Sequence, residues 1–419
     1  MRAWQWAAVI VTVGLNAMDG FDVLSISFAA PGIAKEWGVT KDTLGWVLST
    51  ELVGMALGSI LLGGLADRIG RRPTILGCLV AMAVGMFGAA HADAVTTLLV
   101  FRLLTGIGIG GMLASINAAA AECSNGRWRS LAMALMVLGF PLGGVLGGTV
   151  VQQLLAAGSW REVFVFGAWA TTAFAPIVWL LVPESVAYLE RARPAGALER
   201  INRVLRRFGH TLITALPSQQ TEIKRSLADI FKPALLGTTI LVTCAYFTHI
   251  TSFYYILKWV PKIVVDMGHT PAAAAGVLKW ANVGGVVGGA LFGLVADRVG
   301  LKRLTMIVLL LSTVMIIWFG GGAPDLGTLS VHVALACLFA NAGICGFYLL
   351  FAKVFPTHVR ATGTGFAIGV GRGGAALAPV CAGYLFQAGL ALKTVSICMA
   401  CGSIIAFVAL LAVKERRAD

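Results

Sequence analysis

About twelve apolar stretches, each long enough to cross a bilayer, constrain this chain more than any other feature. A spanning helix needs ~20 predominantly apolar residues. The stretches run approximately over 5–28, 43–66, 74–91, 95–119, 130–156, 162–182, 233–258, 271–295, 303–321, 328–352, 361–388 and 391–413; they are called spans 1 to 12 here. One arginine-rich polar stretch, 183–232, interrupts the series and holds helical patches such as Ala197 to Phe208. It divides the chain into six spans over 1–182 and six over 233–419. Only 12% of the residues are charged against ~25% in soluble domains, and the mean hydropathy is +0.86, so a polytopic membrane protein is expected. The 51 glycines suit helices whose backbones approach closely, since hydrocarbon supplies no hydrophobic drive between helices. Only Arg2 precedes the first apolar run, without a small-residue cleavage site, so a retained first helix is expected.

The net charge of +13 is distributed by side. With both ends cytoplasmic, 23 of the 32 Lys and Arg residues fall on the inner segments and six, Lys258 among them, in outer loops. Cytoplasmic loops carry such an excess, so the charge reads as topology and nucleic acid is excluded as a partner. The eight cysteines lack paired spacing, and Cys398 and Cys401 stand in a continuous apolar stretch, as packing residues do.

Span 1 carries Asp19 and Asp22 within Met18-Asp19-Gly20-Phe21-Asp22. Residues three apart share a helix face. Each ionised side chain at membrane depth costs roughly 2.5–3.5 kcal/mol even on the milder insertion scales. The pair therefore has to meet water, a counter-charge or a proton. A structural ion pair is the plain alternative to a proton-binding or substrate-binding site.

The two halves repeat each other. Residues 63–72 read GGLADRIGRR, and residues 293–302 read GLVADRVGLK at an offset of 230. Arg129 and its following glycines likewise match Arg360 with Gly363, Gly365, Gly373 and Gly374. Six-helix repeats with a midplane site between them are a recurrent plan of secondary transporters.

The stretch from Gly63 to Arg72 resembles the signature loop between helices 2 and 3 of the major facilitator superfamily. Arg102 with Thr105, Gly106, Gly108 and Gly110 is similar to its helix-4 motif, and Phe140-Pro141 with Gly143, Gly144, Gly147 and Gly148 to its helix-5 motif. Pro356 to Gly363 looks like the start of helix 11. The DGFD of span 1 with Gly369-Val370-Gly371-Arg372 resembles the aromatic acid:proton symporters. The chain departs from that group at Lys353, where a glutamate is usual, although Glu122 keeps it in the first half; Glu51 and Lys279 are extra ionisable residues. The resemblance implies an all-α membrane protein, with twelve transmembrane helices in two pseudo-symmetric six-helix bundles. It implies proton-coupled uptake of a small aromatic carboxylate through the bacterial cytoplasmic membrane, by a monomer without cofactor or metal. Another organic anion, proton-coupled export or a transport-inactive sensor are the alternatives.

Residue roles follow as expectations. Asp19 and Asp22 couple the proton. Arg102 and Arg372, the two arginines within spans, cannot discharge and need a carboxylate partner or an anionic ligand. Arg102 is expected near Asp19 or Asp22, and Arg372 against the substrate carboxylate, by bidentate pairing. Phe21, Tyr254, Tyr255, His249, Glu51 and Lys279 complete the candidate binding set. Aromatic faces stack on a flat ring for ~0.5–1.5 kcal/mol beyond burial. Trp46 and Trp259 read as interface residues. Asp67, Arg68, Arg71, Arg72 and Glu122, with Asp297 and Arg298 in the repeat, are expected to gate the inner side as an ion-pair latch. Gly106-x-Gly108-x-Gly110-Gly111 lacks a preceding strand and lies in a spanning helix, so it is no dinucleotide loop. No Walker motif, H-E-x-x-H or nucleophile elbow occurs, and no enzyme is expected.

Overall fold

The computed structural model describes residues 1–216, 227–323, 325–356 and 359–413, without the side chains of Asp67, Ser130, Ala234, Asp297 and Ala361. Among the described residues there are fifteen α-helices and no strand. Twelve of the helices are long and apolar enough to cross a membrane. Spans 1 to 6 are Ala3–Trp37, Lys41–Gly63, Arg71–Ala90, Val95–Cys123, Arg129–Ala157 and Arg161–Leu181. Spans 7 to 12 are Pro233–Asp266, Pro271–Val299, Leu301–Gly320, Leu326–Val354, Arg360–Gln387 and Leu392–Ala412. Val186–Ala192 and Ala197–Phe208 are short helices of the central stretch.

Several helices run beyond their apolar stretches. Span 1 continues past Phe28 to Trp37 and span 7 past Lys258 to Asp266, each stopped only near a glycine at positive φ, Gly38 or Gly268. Such a residue ends helices because it alone adopts that conformation without steric cost. Lys258 is accordingly no loop residue: it is fully buried within span 7. Trp259 next to it is buried as well, its Nε1 donating to the Pro379 carbonyl at 3.1 Å.

The glycines show why the spans can pack. A Cβ on Gly54 or Gly58 of span 2 would stand 2.4 and 2.1 Å from the carbonyls of Leu103 and Ile107 in span 4. A Cβ on Gly284 or Gly288 of span 8 would stand 2.0 Å from those of Ala334 and Leu338 in span 10. Gly54 and Gly58 match Gly284 and Gly288 at the same 230-residue offset as the loop repeat. The internal repeat is thus one of helix crossings as well as of sequence. Spans 1 and 5 meet in the same way, with Gly20 against the Phe140 carbonyl and Gly143 against that of Ala17.

Two compact units result. One comprises Met1–Ser25, Gly54–Gly143 and Arg161–Ile223. The other comprises Ile26–Val53, Gly144–Trp160 and Lys224–Asp419, so it joins parts of spans 1, 2 and 5 to spans 7–12. Within this second unit, the Lys41 amide donates to Gln387 Oε1 at 3.1 Å and Trp46 Nε1 to the Tyr384 hydroxyl at 3.5 Å. A Cβ on Gly45 would stand 2.7 Å from the Pro379 carbonyl. The segments around the connection between spans 1 and 2 are therefore closed against span 11.

Gly143→Leu should abolish the folded protein, because its Cβ would lie 1.8 Å from the Ala17 carbonyl. Gly77→Ala, with nothing within 4 Å of its Cβ, should be tolerated. Fluorescence-detected size-exclusion chromatography checks both: a normal peak for Gly143→Leu contradicts the tight crossing.

Candidate functional site

The crossing of spans 1 and 5 fixes the face of span 1 that carries the two acids. Asp19 and Asp22 are both buried, at 1% and 0% exposure. Arg102 of span 4 is buried beside them, its Nη2 donating to the backbone carbonyl of Asp22 at 2.9 Å. Its Nη1 donates to Met86 Sδ at 3.0 Å, and its guanidinium lies 5.3 Å from the centre of the Phe164 ring. Gly167 of span 6 completes the wall, since a Cβ there would stand 3.3 Å from Asp22 Oδ1. Among the described residues of this unit, the fully buried charged side chains are Asp19, Asp22 and Arg102. Two carboxylates and one guanidinium are thus buried in one unit, in a setting where an uncompensated charge is costly.

Span 11 offers the opposite imbalance. Arg372 is half-buried, and among the described residues nothing accepts a hydrogen bond from its buried Nη1. Its charge reaches the phenols of Tyr246 and Tyr254 in span 7 and of Tyr348 in span 10. The Tyr246 and Tyr348 hydroxyls are 3.3 Å apart. A Cβ on Gly371 would stand 2.2 Å from Tyr246 Cε1, so the glycine lets span 11 press its arginine against this tyrosine group. A planar guanidinium beside phenolic donors and aromatic faces suits an anionic ring compound.

Other sequence-chosen residues have different surroundings. His249 is buried with Nδ1 2.9 Å from Ser403 Oγ and Nε2 2.9 Å from the Ala340 carbonyl, tying span 7 to spans 12 and 10. Tyr255 is buried and shares a hydrogen bond with Ser396 Oγ at 2.8 Å. Phe21 is buried edge-on against Phe166, with ring centres 5.4 Å apart. These three pack helices together. Glu51 is buried 3.7 Å from Lys258 Nζ. Lys279 is half-buried in span 8 beside Gly148 of span 5. Trp46 is exposed at 48%.

At the turn between spans 2 and 3, Arg71 Nη2 pairs with Glu122 Oε1 at 2.8 Å. The amides of Arg71 and Arg72 donate to Glu184 Oε1 at 2.8 and 3.4 Å, placing a carboxylate on a helix N-terminus. Gly70 permits this through its φ of 105°, and a Cβ there would stand 2.5 Å from Glu184 Oε2. Arg72 stacks over Trp179 at 4.2 Å. Arg68 and Arg298 are exposed, while the side chains of Asp67 and Asp297 lie outside the described residues. The described contacts join the turn to spans 4 and 6 of the first half.

Sequence reasoning missed Tyr246, Tyr348, Lys258 and Glu184. A signal existed for span 7: Tyr246, Tyr254 and Lys258 follow one another at multiples of four residues and share a face. Tyr348 and Glu184 carry no such signal.

The profile of the Major Facilitator Superfamily matches residues 12–379. The chain belongs to that family. It is 29% identical over 394 residues to the gallate transporter of Pseudomonas putida, covering 94% of this chain and 88% of the relative. It is 28% identical over 383 residues to the 4-hydroxybenzoate transporter PcaK of the same organism, covering 90% and 85%. It is 28% identical over 422 residues to the 3-(3-hydroxy-phenyl)propionate transporter of Escherichia coli K12, covering 98% and 95%. Among solved structures, a D-xylose-proton symporter superposes with a TM-score of 0.75 at 17% identity, covering 99% of each chain. The fold is that of a transporter family and not of an enzyme.

Arg372→Lys keeps the charge and loses the planar fork. Its affinity for aromatic carboxylates should fall on the order of ten-fold, as loss of one charge-assisted hydrogen bond implies. Equilibrium binding to the purified protein checks this, and an unchanged affinity removes Arg372 from the anion site.

Proposed function

We propose that this chain is a proton-coupled symporter that takes up a small aromatic carboxylate across a bacterial cytoplasmic membrane. The observation that carries this reading is the opposed charge imbalance at membrane depth. Asp19 and Asp22 outnumber Arg102, and Arg372 has a buried donor to spare. A proton corrects the first and a carboxylate corrects the second. The named relatives, transporters of gallate, 4-hydroxybenzoate and hydroxyphenylpropionate, support the substrate class.

The mechanism is one of linkage. The acids stand one turn apart on span 1, and Arg102 is tied to the backbone of Asp22; the pair is proposed to take up the transported proton. Linkage means that a proton on the pair and an anion on Arg372 each raise the other's affinity. Rocking of the halves 1–182 and 233–419 would expose the acid pair and Arg372 to either side in turn, with 183–232 in the cytoplasm. Both termini are then cytoplasmic, in keeping with the arginine excess. One chain carries both charge sets, so a monomer suffices. The two inner turns, Asp67 and Arg68 with the Arg71–Glu122 pair in one half and Asp297 and Arg298 in the other, would serve as the gate on that side.

A thermal-shift screen of the purified protein against benzoates, hydroxybenzoates, phenylpropanoids, dicarboxylates and xylose tests the reading. Hydroxylated aromatic acids should raise the melting temperature and xylose should not. Stabilisation by xylose without any response to aromatic acids contradicts it.

A further inference from the structure

We propose that Glu51 and Lys258 form a positioning clasp. In this reading the pair sets how firmly the transport path closes at the connection between spans 1 and 2. Glu51 belongs to span 2 of the first half and Lys258 to span 7 of the second, yet both lie in one compact unit. Each is 0% exposed, and Lys258 Nζ stands 3.7 Å from Glu51 Oε2. They form an ion pair between the halves at the end where Gly45 meets Pro379 and Trp46 meets Tyr384. The clasp also reaches the anion site. Tyr254 stands one turn before Lys258 on the same face, and its phenol feels the charges of both Glu51 and Arg372.

Two buried opposite charges attract strongly, but their lost hydration consumes most of that gain. Such a pair seals a closed state without making it deep, because both charges regain water when the helices part. A lone buried charge behaves differently, since it favours any state that hydrates it. An apolar pair in the same place would deepen the closed state, because nothing gains from opening. A carrier that must open at this end once per cycle is served by the charged version. The proposal rests on alternating access, but not on the identity of the substrate or on proton coupling.

The test uses the full-length protein with its eight native cysteines replaced. Ser49, buried in span 2 between Gly45 and Glu51, becomes the only cysteine, in membrane vesicles exposing the span 1–2 end. The readout is the rate of labelling by a membrane-impermeant maleimide, which needs no substrate. Relative to the parent, Glu51→Gln and Lys258→Met should each label faster, on the order of ten-fold or more, because each breaks the buried ion pair and keeps one of its charges. The swap Glu51→Lys with Lys258→Glu should return the rate toward the parent's. The double variant Glu51→Leu with Lys258→Met should label more slowly than the parent. Unchanged rates in the single variants, or faster labelling in the double variant, overturn the proposal. If the single variants fail to insert, the other two decide alone: slower labelling in the apolar double supports the clasp, and faster or equal labelling sinks it.

Discussion

An ionised side chain inside hydrocarbon has to be answered, and most of this structure can be derived from where the answers come from. At membrane depth neither water nor ions are at hand, so each carboxylate, guanidinium or ammonium needs a partner held in place by helix packing. Glu51 has Lys258 in span 7. Arg102 has the Asp22 carbonyl, Met86 and the face of Phe164. The acid pair at span 1 and the arginine donor at span 11 are what a proton and an organic anion are proposed to balance.

Such arrangements depend on backbones that touch. Gly20 and Gly143 bring spans 1 and 5 together beside Asp19 and Asp22, with no room for a Cβ. The same device recurs at Gly54 and Gly58, and again at Gly284 and Gly288. Van der Waals contact and shape, not hydrophobic burial, determine helix association in lipid. A glycine seam is therefore the stiff part of the fold. Arg372, beside Gly371, takes its position from the last of these close approaches, against Tyr246.

The spans, the repeat and the acid pair were legible in the sequence because each is a local pattern: apolar length, a fixed offset, a spacing of three. Partners contributed by distant helices were not. Lys258 reads as the charged end of span 7, and only the structure shows the helix continuing to Asp266 with Glu51 packed against it. Glu184 lies beyond span 6 and reads as loop, although it caps the turn at Gly70. Tyr348 and Tyr246 meet across more than one hundred residues, which no spacing rule reaches. His249 and Tyr255 carry site-like chemistry, but Ser403, Ala340 and Ser396 take up their polar atoms.

The central claim is that the span-1 acids carry the proton that an anion on Arg372 requires. Proteoliposomes loaded with a pH-sensitive dye and given an inward proton gradient test it most directly. Addition of a hydroxybenzoate should acidify the lumen and concentrate the acid inside, and Asp19→Asn or Asp22→Asn should lose this accumulation while counterflow exchange survives in at least one of them. Continued gradient-driven accumulation by both variants would contradict the account and move the proton to another residue.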